Sequence, residues 1–245
     1  MAAIEVCGLA KRYGALRAVD DLSMTVEQGE LFALLGVNGA GKTTAIRMLT
    51  GVTPPDGGDA LLMGHSIRTE LDAVKRVTNL SPQESAVAPR LTVRENLELM
   101  AELYGLGWAD ARRRAGEVLE EFDLCQVARR RAGTLSGGWQ RRLSIAMALI
   151  TGPQILFLDE PTLGLDVLAR RELWGLLRDL HGKVTILLTT HYMEEAEALA
   201  DRVGILQRGR LCALGTPAEL VAQAGARNFE EAFVALAAPE GGDVR

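Results

Sequence analysis

Cysteine is scarce: the 245 residues hold three, Cys7, Cys125 and Cys212, widely spaced and odd in number. That pattern speaks against a disulfide framework or a cysteine metal site and fits reduced cytosolic thiols. No apolar run reaches the ~18–20 residues that cross a bilayer, and Glu5 and Lys11 arrive before a secretory leader can form. A cytoplasmic location is expected, with any membrane reached through a partner. Basic charge is not in excess either, since 27 Lys and Arg face 32 Asp and Glu for a net charge of -5. A dedicated nucleic-acid binder would carry a large basic surface, so no nucleic-acid partner is expected. Arg112-Arg113-Arg114 and Arg129-Arg130-Arg131 read as solvated helix faces. There is no internal repeat. Hydrophobic residues make up 48%, enough for one substantial α/β domain with an insertion.

The organising stretch is Gly36-Val37-Asn38-Gly39-Ala40-Gly41-Lys42-Thr43, between the apolar run Leu31–Leu35 and the helical Thr44-Ala45-Ile46-Arg47-Met48-Leu49. A buried strand, a glycine loop and a helix start make a P-loop. Its glycines let successive N–H groups turn around a phosphate at the positive end of the helix. Lys42 supplies a charge for the β- and γ-phosphates, and the Thr43 hydroxyl suits Mg²⁺. A glycine-rich turn is the plainer alternative.

Along the chain, Ile4-Glu5-Val6 and Ala18–Val26 predict short strands around a turn at Lys11-Arg12-Tyr13-Gly14. Tyr13 reads equally as a half-buried strand residue or as an aromatic for a purine. Strands are expected at Ala60–Met63 and Arg76–Leu80, the latter leading to Ser81-Pro82-Gln83. From about residue 86 to 150 the pattern is helical: a capping box at Thr92 and Glu95 opens one helix, Asp110 caps a second, and Ser136-Gly137-Gly138 starts a third. Strands return at Ile155–Leu158, Val184–Leu188, Val203–Leu206 and Arg210–Leu214, the last two joined at Arg208-Gly209. Helices are expected at Val167–Leu180 and Met193–Ala200.

Two further segments carry chemistry. Leu156-Phe157-Leu158-Asp159-Glu160 is an apolar strand ending in two carboxylates, and ligands of parallel sheets lie at such strand ends. Asp159 would hold Mg²⁺, and Glu160 would orient and deprotonate an attacking water; a solvated turn is the alternative. Leu135-Ser136-Gly137-Gly138-Trp139-Gln140 offers a hydroxyl and open glycine amides at a helix start, a second anion site or an ordinary serine cap.

In this order the segments resemble the ATP-binding cassette (ABC) ATPases, from Tyr13 through the P-loop (Gly36 to Thr44), Gln83, Leu135–Gly138, Asp159-Glu160, Gly164-Leu165-Asp166 and His191. The resemblance implies a P-loop NTPase with a RecA-like core, an antiparallel β subdomain and an inserted α-helical signature subdomain. It places the ATPase domain at 1–225 and a short C-terminal helix and tail at 226–245, frayed from Ala237. It further implies that Tyr13 stacks on adenine and that Gln83 contacts Mg²⁺ or the lytic water. Ser136, Gly137 and Gly138 would grip the γ-phosphate of ATP on a second copy, Asp166 would act at the seam of that homodimer, and His191, read alone as a cap, would bond the γ-phosphate. Trp139 departs from the commoner Gln and is expected to tune the interface. Leu91–Leu97, His191–Glu197 and Asn228–Phe233 resemble bacterial ABC-2 type exporter ATPases of the daunorubicin-resistance group. That implies ATP and Mg²⁺ as cofactors and an ABC-2 type membrane permease as partner, with the subunit peripherally attached at the cytoplasmic face. A soluble ABC ATPase of translation or DNA repair is the alternative; such proteins resemble fused cassettes or carry long coiled coils, and this chain has neither.

Overall fold

A computed structural model describes residues 1–238 and divides into two units, Met1–Val77 with His181–Arg245, and Thr78–Leu180. In the first, β1 (Ala2–Tyr13) and β2 (Leu16–Glu27) form an antiparallel hairpin closed by Gly14 and Ala15. Alternation sends Ile4 and Val6 of β1 and Leu22, Met24 and Val26 of β2 inward, and a register shift after Val6 brings Leu9 to the same buried face. The turn thus overlaps the expected Lys11–Gly14 only at Gly14. Lys11 and Arg12 stay in the strand because the loop before β4 satisfies their polar groups: Lys11 Nζ donates to Pro54 O (2.7 Å) and Asp56 Oδ1 (2.9 Å), and the Arg12 amide donates to Asp56 Oδ2 (2.7 Å). These bonds, Lys11's first, hold the Asp56 carboxyl below the usual range.

The buried strand β3 (Leu31–Leu35) leads to α1 (Lys42–Leu49). β4 (Gly57–Leu62) and β5 (His65–Ser66) extend the hairpin sheet in the order β2-β1-β4-β5. A short helix unforeseen in the sequence, α2 (Leu71–Val77), ends this part of the unit.

The second unit begins with β6 (Thr78–Ser81), which starts two residues later than expected because α2 takes Arg76 and Val77. Three helices follow: α3 (Val93–Leu103), α4 (Trp108–Glu121) and α5 (Gly137–Leu149). Thr92 and Glu95 cap α3 reciprocally, as expected. Asp110 is not the cap of α4; the helix begins at Trp108 after Gly107, and Asp110 sits in its first turn, favourable to the dipole. Ala111, Ala115, Val118 and Leu119 line its buried face. β7 (Ile155–Asp159) pairs in parallel with β6, and α6 (Val167–Asp179) closes the unit.

Back in the first unit, β8 (Thr185–Thr190), α7 (Met193–Leu199) and β9 (Arg202–Gln207) follow. β8 and β9 flank β3, both parallel to it. Buried on both sides, β3 reads as an unbroken apolar run. β10 (Arg210–Gly215) returns antiparallel to β9 through Arg208 and Gly209, whose φ values of 46° and 81° suit a tight hairpin turn. α8 (Pro217–Ala224) and α9 (Phe229–Leu236) complete the described chain. Ala237 still closes α9, donating to Phe233 O at 2.9 Å; the rest of the expected frayed tail, from 239, lies outside the described residues.

Candidate active site

Parallel strands leave their next residues on one edge, and in the first unit that edge carries the phosphate loop. Leu35 of β3 is in register with Thr190 of β8, and the Gly36 amide donates to Thr190 O at 3.2 Å. Gly36 and His191 therefore leave the sheet side by side. His191 is half-buried, its ring 4.1 Å from that of Tyr192. Gly41, with φ 107°, ends the loop where a Cβ would lie 2.2 Å from Ala18 O, so only glycine fits. The loop rests on the β9–β10 turn, for the Gly209 amide donates to Ala40 O at 2.9 Å while Gly209 O accepts from the Asp20 amide at 2.8 Å. Three distant segments, 18–20, 40–41 and 209, meet there through backbone bonds, and the Asp20 carboxylate also pairs with neighbouring Arg210 at 2.7 Å.

Lys42 is 5% exposed, and its ammonium donates to Gly36 O (2.8 Å) and Val37 O (3.3 Å), which folds it back over the loop. Val37, Asn38 and Gly39 form the exposed crown, Ala40 is buried, and Thr43 and Thr44 lie half-buried in the first turn of α1. Gly41 caps α1 without a side chain, so no capping side chain competes for the first-turn amides, the arrangement that binds phosphate. Tyr13, at the end of β1, is 47% exposed with Lys11 Nζ 5.7 Å from its ring centroid.

The second unit repeats the geometry with different groups. Ser81 of β6 pairs with Leu158 of β7, so Pro82-Gln83 and Asp159-Glu160 leave one edge together. Asp159 and Glu160 are each 5% exposed, whereas Gln83 is exposed. Glu160 takes φ 49°, a left-handed conformation that costs a non-glycine residue roughly 1 kcal/mol or more. Ser136 occupies the N-cap position of α5 with extended backbone but makes no side-chain capping bond, so the ordinary-cap reading fails for its hydroxyl. Gly137 is exposed and Gly138 half-buried beside it. Trp139 lies under the Arg142 guanidinium, 4.6 Å from the ring centroid, and Arg142 pairs with Glu172 at 2.9 Å. Asp166 caps α6, accepting from the Ala169 amide at 2.9 Å.

Sequence reasoning missed two polar residues that hold this second edge. Arg141 of α5 and Asn96 of α3 are buried, and both bond to the loop that follows Gln83 or to its start. Asn96 lies inside the Leu91–Leu97 segment and Arg141 directly follows Leu135–Gln140, but neither segment marks that residue for a role.

A profile of the ABC transporter family matches residues 19–163. The chain is 45% identical over 224 residues to the daunorubicin/doxorubicin resistance ATP-binding protein DrrA of Streptomyces peucetius, covering 91% of this chain and 68% of that protein. With the Nod factor export ATP-binding protein I of Ralstonia nicotianae it shares 46% identity over 220 residues, 89% of this chain and 68% of the other. Among solved structures, the ATP-binding subunit of an ABC transporter aligns with TM-score 0.84 at 33% identity, over 96% of this chain and 99% of that one. A dimeric ATP-binding cassette in a post-hydrolysis state, bound to ADP and phosphate, aligns with TM-score 0.77 at 26% identity, over 87% and 98%. The fold is that of a P-loop NTPase with an antiparallel β subdomain and an inserted helical signature subdomain, and the chain belongs to the ABC transporter family as an ATP-hydrolysing, ATP-binding cassette protein.

Proposed function

We propose that this ATPase powers an exporter by pairing head-to-tail with a second copy around two Mg-ATP and driving a separate ABC-2 type permease at the cytoplasmic face of the membrane. The observation that carries the exporter reading is the 45% identity to a daunorubicin/doxorubicin resistance ATP-binding protein. No described helix is long and apolar enough to cross a membrane. A partner surface is available on the second unit, where Leu103 at the end of α3 and Trp108 at the start of α4 are 71% and 65% exposed.

In this reading the P-loop amides and Lys42 hold the β- and γ-phosphates and Tyr13 stacks on adenine. Glu160 takes the proton of the attacking water, and His191 donates to the γ-phosphate. Thr43, Gln83 and Asp159 offer oxygen donors, the set that Mg²⁺ accepts alongside phosphate and water. Bound there, Mg²⁺ would neutralise charge developing on the phosphates. Ser136, Gly137 and Gly138 present their donors to the ATP of the second copy, with Asp166 at the seam. Val167 and Leu168, next to Asp166, are 62% and 74% exposed, as a seam requires.

Purification from detergent-solubilised membranes of the source cell tests the assignment. A multi-span membrane protein should co-purify in stoichiometric amount and stimulate ATP hydrolysis. Association with ribosomes or DNA instead would overturn the exporter reading.

A further inference from the structure

α5 carries Ser136-Gly137-Gly138 at one end and, little more than a turn further in, a buried arginine. Arg141 is 5% exposed. A guanidinium cannot shed its proton, so one taken out of water must find acceptors. Two of those acceptors are consecutive backbone carbonyls: Nη1 donates to Pro82 O at 2.6 Å, and Nη2 donates to Gln83 O. Charge-assisted bonds of this kind are stronger than neutral ones, and the planar fork suits a pair of acceptors where a single ammonium does not.

The next residue on that face of α5 makes the same connection. Ser144, three positions on, shares a hydrogen bond with Ser81 at 3.0 Å between two buried hydroxyls. α5 thus grips Ser81, Pro82 and Gln83 in succession. The far end of the loop is fastened to α3. Asn96, fully buried, accepts from the Ala88 amide (2.7 Å) and donates to Ala88 O (3.2 Å) and Thr92 O (2.9 Å). Glu84, Ser85, Ala86 and Val87 lie between the two clamps.

We infer that Arg141 is a positioning residue that ties the Ser136–Gly138 segment to Gln83, so that a shift of α5 when its N-terminus meets a phosphate moves Gln83 as well. The inference rests on the proposed roles of those two segments toward ATP. Its selectivity comes from geometry: lysine at 141 could hold one carbonyl, methionine neither.

Hydrogen exchange of the whole chain, with and without Mg-ATP, reads the linkage directly. In the native protein Mg-ATP should slow exchange in peptides covering both 136–140 and 83–90. In Arg141→Met the slowing at 36–44 and at 136–140 should persist, while that at 83–90 falls at least about threefold; kcat should drop about tenfold with KM for ATP within about twofold. Arg141→Lys should fall between the two, and it carries the test if the Met variant does not fold. Full retention of the ATP effect at 83–90 in a folded Met or Lys variant would overturn the linkage while leaving the site roles standing. Absence of any ATP effect at 136–140 in the native protein would instead overturn the underlying roles, and the linkage with them.

Discussion

Lys42 shows how much a single side chain is asked to do. Its ammonium already lies over the loop on Gly36 O and Val37 O, so ATP would meet a charge held in place. Lys42→Ala should weaken ATP binding at least about tenfold by titration calorimetry, since the loop's only side-chain cation is gone. Glu160→Gln should bind ATP normally yet turn over about 10²–10⁴ times more slowly, the loss of a general base. Normal hydrolysis by the Gln variant would remove Glu160 from that role. Both residues were legible in the sequence because each sits in a short local pattern: glycines before one, an apolar strand before the other. Arg141 was not, because its acceptors are backbone carbonyls 59 and 58 positions away and carry no side-chain signature. Arg114 was misread in part for the same reason. It pairs with Glu117 at the surface, but its other nitrogens donate to Leu149 O and Ile150 O at the end of α5.

Elements were legible where their end signals are local. The Thr92–Glu95 capping box marked α3, and the apolar run marked β3. α8 carries an equal signal, Thr216, Pro217 at its first turn and Glu219, which the sequence reading passed over. α2 has only seven residues, and such a segment has little propensity signal of its own. The length of β1 depended on Asp56, which no strand pattern near Lys11 reveals. Two predictions belong at this scale. Asp166 caps α6, so Asp166→Ala should cost about 1 kcal/mol by denaturant melting, whereas Asp166→Asn, which also caps, should keep stability. If the Asn variant is stable yet loses ATP-driven pairing, Asp166 has the seam role too; unchanged pairing would limit it to the cap. Charge reversals at exposed Glu84 and Arg90, in and beside the clamped loop, should abolish transport in reconstituted vesicles while basal ATP hydrolysis continues. Parallel loss of both would point to misfolding.

For the whole molecule the decisive question is how many copies make one functioning site. The Ser136 hydroxyl does not cap its own helix and Gly137 is exposed, which leaves this end of α5 available to a ligand outside the chain. Glu160→Gln should be monomeric in light scattering without nucleotide and dimeric with Mg-ATP, because ATP trapped at the seam stabilises the pair by mass action. Adding Ser136→Arg should keep it monomeric. A Gln variant that binds ATP and stays monomeric at high concentration would count against head-to-tail pairing. The junction of residues 18–20, 40–41 and 209 bears on how such a molecule can be altered. Because the Gly209 amide supports Ala40 O, and a Cβ on Gly209 would stand 2.9 Å from Ala18 O, the β9–β10 turn is closed to insertion although it lies at a hairpin tip. Epitope tags, fluorescent labels or grafted loops placed there would spread the phosphate loop from behind and erase nucleotide affinity. The β1–β2 turn is the better port, since Gly14 and Ala15 are exposed and a Cβ on Gly14 would meet nothing within 4 Å.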